Sequence, residues 1–126
     1  MKKIINTSNA PAPIGPYNQA ILSNGTLYIS GQIPLNPKNG ELVSGDIKKE
    51  TKQSMENLKA ILTEAEMTFE NVVKSSIFLS DMKQFTEVNE VYASYFNAET
   101  APARETVEVA NLPKFVNVEI SMIAAK

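Results

Sequence analysis

The chain has no histidine, no cysteine and no tryptophan. Without them it cannot assemble a Ser-His-Asp triad, a cysteine nucleophile, a histidine general base, an iron–sulfur cluster or a His/Cys zinc site. Chemistry is left to carboxylates, Lys, Arg, Tyr, hydroxyls and backbone groups. Positive charge is also scarce. Twelve basic residues against 14 acidic ones give a formal net charge of −2, so the sequence lacks a basic footprint for nucleic acid or an anionic membrane. Of the 12, Arg104 is the single arginine and the rest are lysine. No apolar run approaches the ~20 residues of a membrane span, and Met1–Asn6 carries charge without an apolar stretch of signal-peptide length. Lack of cysteine forbids disulfides without choosing a compartment. The expectation is a soluble cytoplasmic protein with no cofactor, no metal, no nucleic-acid partner and no membrane partner.

What is present suits one globular domain over residues 1–126: hydrophobic residues make up 43% of the chain and charged residues 21%. Residues 6–16 (NTSNAPAPIGP) read as an ordered loop, after a first strand at Lys3–Ile5. Gln19–Ser23 and Thr26–Ser30 flank Asn24-Gly25, a two-residue hairpin signal. Residues 31–45 read as a loop with a short edge strand at Glu41–Val43. From Asp46 the period changes: Ile47, Thr51, Met55, Leu58, Leu62 and Ala65 form one helical face, with Asp46 as N-cap. Val72–Leu79 reads as a buried strand. Ser80-Asp81 opens a second helix with Met82, Phe85, Val88, Val91/Tyr92 and Tyr95/Phe96 on its buried side. Arg104–Val109 and Val116–Ile123 alternate as strands. The economical packing is an α+β fold, an antiparallel or mixed sheet with two helices on one face. If Val, Ile and Met occupy both faces of the last strand, the uncovered face predicts self-association.

A few residues stand out as candidates for chemistry. Arg104 begins a strand, and its planar fork suits a carboxylate better than a lysine ammonium does; a surface arginine is the plain alternative. Glu119 sits midway along the last strand on its less apolar face. There a raised pKa would fit it for general acid or base work, the alternative being a solvated edge position. Arg104 and Thr106 share a face by the two-residue period, but whether Glu119 opposes them depends on strand order. Tyr17 follows Gly15-Pro16 and reads either as a held ring or as packing. Ser30-Gly31-Gln32, placed after the hairpin strand, either offers a backbone N–H to an anion or ends the strand. Asn89 falls on the polar side of the second helix.

Taken together, Ile14-Gly15-Pro16-Tyr17, Ser30-Gly31-Gln32-Ile33-Pro34, Pro102-Ala103-Arg104, Val107–Pro113 and Val118-Glu119-Ile120 resemble the RidA/YjgF proteins, the reactive-intermediate imine deaminases, in order and over essentially the whole chain. The resemblance implies a chorismate-mutase-like α+β fold, a homotrimer with pockets between neighbouring subunits, and hydrolysis of 2-imino acids (2-iminopropanoate, 2-iminobutanoate) released by pyridoxal-phosphate dehydratases to 2-oxo acids and ammonia. Position by position, Arg104 matches the carboxylate-binding arginine and Glu119 the residue that holds the attacking water. Tyr17, Ser30, Gly31 and Asn89 match the pocket lining. Thr106 stands where many members have Cys, and Ala101 where an aromatic residue often precedes the proline. A non-catalytic trimer sensing small 2-oxo or amino acids through Arg104 is the competing reading. Nuclease activity is disfavoured by the acidic pI and the lack of histidine.

Overall fold

The computed structural model describes residues 1–126. In chain order it contains strands β1 (Lys2–Ile5), β2 (Ala20–Ser23), β3 (Thr26–Gln32), β4 (Leu35–Asn36) and β5 (Glu41–Leu42), helix α1 (Ile47–Glu64), strand β6 (Val72–Leu79), helix α2 (Phe85–Ala93), and strands β7 (Ala103–Glu108) and β8 (Val118–Ala125). Local chemistry accounts for the best-defined boundaries. Asn24 and Gly25 take φ values of 51° and 79°, the left-handed pair that a tight hairpin turn requires, and they close the antiparallel β2–β3 ladder at Ser23 and Thr26. Asp46 caps α1, its carboxylate accepting hydrogen bonds from the Lys48 and Lys49 amides at 3.0 and 3.3 Å. The α1 stripe then buries Ile47, Met55, Leu58, Ile61 and Leu62.

Six strands form one sheet in the order β1-β2-β3-β8-β6-β7, with β4 and β5 as a separate two-stranded ribbon. All neighbours in the large sheet run antiparallel except β6 and β7. That parallel pair needs a crossover, which α2 supplies. The result is the mixed sheet with two helices on one face. Leu27, Ile29, Ile77, Leu79, Val118, Ile120, Met122 and Ala124 point beneath the helices and join a core cluster of 21 buried residues with Met55, Leu58, Val88 and Tyr92. Burying a side chain of this kind is worth about 1.5–3 kcal/mol.

Several boundaries differ from the sequence reading. β3 continues past Ser30 through Gly31 and Gln32 instead of giving way to a loop at residue 31, and after a register irregularity between Ile29 and Gln32 it is again paired to β8. The second helix starts later. Asp81 caps a 3-10 turn at Met82–Gln84, the α-helix runs from Phe85 to Ala93, and Met82 is exposed. Tyr95 and Phe96 lie beyond its end, partly buried against the core. The last strand is not apolar on both faces: its large apolar side chains lie beneath the helices except Ile123, which shares the open side with Glu119 and Ser121. The open side is nonetheless partly apolar, through Tyr28, Phe78 and Val107, which pair in register with Ile123, Glu119 and Phe78 respectively. Tyr28 and Val107 are among the exposed large hydrophobic residues.

Candidate functional site

Strand register decides which candidates can meet. Arg104 and Thr106 pair with Ser75 and Ile77 of β6, whose side chains point beneath the helices, whereas Glu119 pairs with Phe78 on the open side. Arg104 and Glu119 therefore lie on opposite faces of one sheet, and the candidates fall into two groups.

The first group is built on α2 and β7. Phe85, Asn89 and Tyr92 are spaced four and three residues apart, so they project from one face of α2. Arg104 lies against all three: its Nη1 donates to Asn89 Oδ1 at 2.7 Å, and its Cζ sits 5.7 Å from the Phe85 ring centroid and 5.0 Å from that of Tyr92. Asn89 is thus a partner of the arginine, not a freely solvated amide. No carboxylate lies within ion-pair distance of Arg104; the chain's ion pairs are Lys48–Glu90 and Lys74–Glu105. The guanidinium fork is left without a charged partner. The Thr106 hydroxyl oxygen, two residues along the same strand, and Gln84 Oε1, just before α2, are buried without a hydrogen-bond partner, a costly state for polar atoms.

The second group comprises Glu119 and, through Gly31, the segment that carries Tyr17 and Ser30. Burial pushes the Glu119 carboxyl above its ordinary range, because the charged form is poorly solvated. Gly31 lies directly against it: a Cβ on Gly31 would fall 2.8 Å from both Cδ and Oε2 of Glu119. Only a residue without a side chain allows the carboxylate this position. Ser30 is fixed by its hydroxyl donating to the Asn18 carbonyl at 2.7 Å and its amide to the Gln19 carbonyl at 2.8 Å. Tyr17 is half-exposed, its hydroxyl accepting from the Ile14 amide at 3.4 Å. Tyr17 and Gly31 share a small cavity of about 30 Å³ with Ile14, Gln32 and Lys114. Lys114 and Phe115, in the turn before β8, both have φ of 55°.

The sequence reading missed Phe85 and Tyr92 as residues of the arginine side, and Lys114 beside Tyr17. The 85/89/92 spacing was the available signal for the α2 residues; two consecutive left-handed residues at Lys114-Phe115 have none, since neither is Gly or Asn. A cavity of about 690 Å³ along α1 is lined by none of the predicted residues. No cluster of His, Cys, Asp or Glu able to hold a metal ion is formed, and no helix is long and apolar enough to cross a membrane.

Residues 7–126 match a protein-family model described as endoribonuclease L-PSP. A RutC family protein of Pyrococcus horikoshii is 54% identical over 126 residues, covering 100% of this chain and 99% of that protein. The mouse 2-iminobutanoate/2-iminopropanoate deaminase is 47% identical over 126 residues, covering 100% of this chain and 93% of the mouse protein. A crystal structure of a conserved Rid-family protein of unknown function from Yersinia pestis superposes with a TM-score of 0.97 at 49% identity, covering 100% of both chains.

Proposed function

Given that this chain belongs to the endoribonuclease L-PSP (RidA/YjgF) family, we propose that it hydrolyses small 2-imino acids to 2-oxo acids and ammonia, in pockets formed between copies of the chain. Arg104 binds the substrate carboxylate, Glu119 activates water, and Tyr17, Ser30, Gly31, Asn89 and Thr106 line the pocket. The observation that carries this reading is the guanidinium of Arg104, held by Asn89 and two aromatic rings yet facing no carboxylate of its own chain. A planar fork so placed suits the acid end of a 2-imino acid through two parallel hydrogen bonds.

The chemistry needs little else. A protonated imine is already electrophilic, so orientation and a positioned water supply most of what catalysis requires. Glu119 takes a proton from water as the new C–O bond forms at the imine carbon, leaving a neutral carbinolamine. It returns that proton to nitrogen. The C–N bond then breaks as the hydroxyl proton passes back to Glu119 and the C=O bond forms. Ammonia departs and collects this proton as ammonium. A carboxyl whose pKa burial has raised is suited to carry a proton both ways.

Because Arg104 and Glu119 lie on opposite sheet faces, one copy supplies the arginine side and its neighbour the Glu119 side. A head-to-tail contact closes into a ring when its rotation does, and the ring proposed here is a trimer in which each copy contributes to two pockets. The partly apolar open face of Tyr28, Phe78, Val107 and Ile123 provides surface for that contact. The family-model description suggests a nuclease instead; a chain of net charge −2 without histidine offers little for one.

The test adds the protein to a threonine or serine dehydratase reaction and times the appearance of 2-oxo acid. Acceleration that is lost in Glu119→Gln supports the deaminase. Tight 2-oxo acid binding without acceleration supports a sensor and refutes the deaminase. Light scattering that returned a monomer would refute the shared pocket.

A further inference from the structure

The arginine side of the site contains a side chain with no place in the reaction just described. Tyr92 is 4% exposed. Its ring lies under the guanidinium, 5.0 Å from Arg104 Cζ to the ring centroid, and its hydroxyl donates to Ser75 Oγ at 2.9 Å. Ser75 is wholly buried and is the β6 residue in register with Arg104 across the parallel β6–β7 pair. The connection is therefore a closed loop. β7 carries Arg104, the guanidinium rests on the Tyr92 ring, the Tyr92 hydroxyl is tied to Ser75, and Ser75 pairs with the backbone of Arg104. The ring also packs against Phe96, at 4.8 Å between centroids.

From this arrangement we infer that Tyr92 is a positioning residue for Arg104. An arginine side chain on an edge strand has many rotamers, and holding its fork in one of them carries an entropic cost. A ring face beneath the guanidinium attracts it through the ring quadrupole, more strongly where water is displaced. Asn89 fixes one end of the fork with a hydrogen bond, but that bond alone leaves rotation about it. Phe85 flanks the group at 5.7 Å, and the nearer Tyr92 ring, at 5.0 Å and tied down through its hydroxyl, supplies the plane. Its hydroxyl does not touch the arginine; it ties the ring to Ser75, on the strand along which Arg104 itself is aligned. Substrate meeting a pre-oriented fork then binds without first ordering it. Tyr92 touches neither substrate nor reacting atoms, so its effect falls on carboxylate binding and not on the proton transfers at Glu119.

This inference rests on the reading of Arg104 as carboxylate clamp, and a double-mutant cycle separates the two. Binding of 2-oxobutanoate is measured by titration calorimetry, and turnover of 2-iminobutanoate by the dehydratase-coupled assay, in the wild type, Tyr92→Leu, Tyr92→Phe, Ser75→Ala, Arg104→Lys and the Arg104→Lys/Tyr92→Leu pair. Tyr92→Leu should weaken 2-oxobutanoate binding about fivefold to thirtyfold and raise KM in parallel, with kcat within about twofold. Tyr92→Phe keeps the ring and should restore binding to within about threefold of the wild type, with Ser75→Ala giving the same small loss. In the Arg104→Lys background, Tyr92→Leu should change nothing further, since the planar group it supported is gone. Equal losses from Tyr92→Leu in both backgrounds, or a Tyr92→Phe loss as large as that of Tyr92→Leu, overturns the positioning role. If Arg104→Lys itself leaves 2-oxobutanoate binding intact, the clamp fails and the inference fails with it. Should Tyr92→Leu not fold, Tyr92→Met takes its place, since its flexible side chain fills the space without a ring: the same loss of 2-oxobutanoate binding at unaltered kcat is expected, and binding within about twofold of the wild type overturns the positioning role.

Discussion

Gly31→Ala is the sharpest single perturbation of the Glu119 side. The backbone at Gly31 is not in the left-handed region, so alanine meets no conformational penalty there; what it meets is Glu119. Its Cβ would lie 2.8 Å from Cδ and Oε2 and 3.0 Å from Cγ of that side chain. Carbon–carbon contacts sit comfortably at about 3.5–4.0 Å, so the carboxylate must retreat by about 1 Å. The obstructing atoms are the far end of a flexible side chain and not backbone, so the fold can yield cheaply. The stability loss should stay at or below about 1 kcal/mol, the low end for overpacking. The reaction is less forgiving: displacing a reacting group by about 1 Å costs about 100-fold in rate. Gly31→Ala should therefore lower kcat for 2-iminopropanoate by about 100-fold while the melting temperature falls by only a few degrees. Thermal melts and the dehydratase-coupled assay measure the two effects on one preparation. In a Glu119→Ala background the new methyl group has room, so adding Gly31→Ala there should leave the melting temperature unchanged. Retention of full activity in Gly31→Ala, or a stability loss that persists in the Glu119→Ala background, would refute the reasoning.

Other outcomes follow from the same geometry. Arg104→Lys keeps the charge but not the fork, and should cost about 2 kcal/mol, or about 30-fold in kcat/KM, seen in steady-state kinetics with 2-iminobutanoate. The raised pKa of Glu119 also bears on stability. A carboxyl whose folded pKa lies above its unfolded value favours the fold while protonated, and that contribution is lost as pH rises through the folded pKa. Glu119→Gln should therefore melt higher than the wild type at neutral pH, with the difference closing as pH falls below the ordinary carboxylate range; a difference independent of pH would contradict the burial. In kcat/KM against pH, the acid limb should likewise lie above the ordinary carboxylate range. Asp46→Ala removes the α1 cap, with its 3.0 and 3.3 Å bonds, and should lower stability by about 1 kcal/mol in urea melts without changing KM.

Much of the fold is legible in the chain because its signals are local. Asn24-Gly25 specifies its own turn conformation, Asp46 its own cap, and the stripe from Ile47 to Leu62 its own buried face. The same holds for Val72–Leu79, whose bounds the structure reproduces. The site is less legible, because its geometry depends on pairing between distant strands. Two-residue periodicity tells that Arg104 and Thr106 share a face, but not which face of the sheet that is. β7 is largely exposed and alternates weakly, and irregularities between Ile29 and Gln32 and between Val72 and Lys74 break the parity along β3 and β6. The opposite orientation of Arg104 and Glu119 emerges only from the register to β6. Asn89 shows the same limit: taken alone it is a polar helix residue, and only the position of β7 makes it the partner of a guanidinium.

The claim on which the account depends is that Arg104 of one copy and Glu119 of another serve the same pocket. Mixing Arg104→Lys chains with Glu119→Gln chains, denaturing and refolding them together at equal amounts, and assaying 2-iminopropanoate hydrolysis tests it directly. In a ring of shared pockets, about one quarter of the sites pair an intact arginine side with an intact Glu119 side, so the mixture should recover about one quarter of wild-type activity while each variant alone stays nearly inactive. A mixture that forms the same oligomer yet remains no more active than the two variants assayed separately would contradict the account.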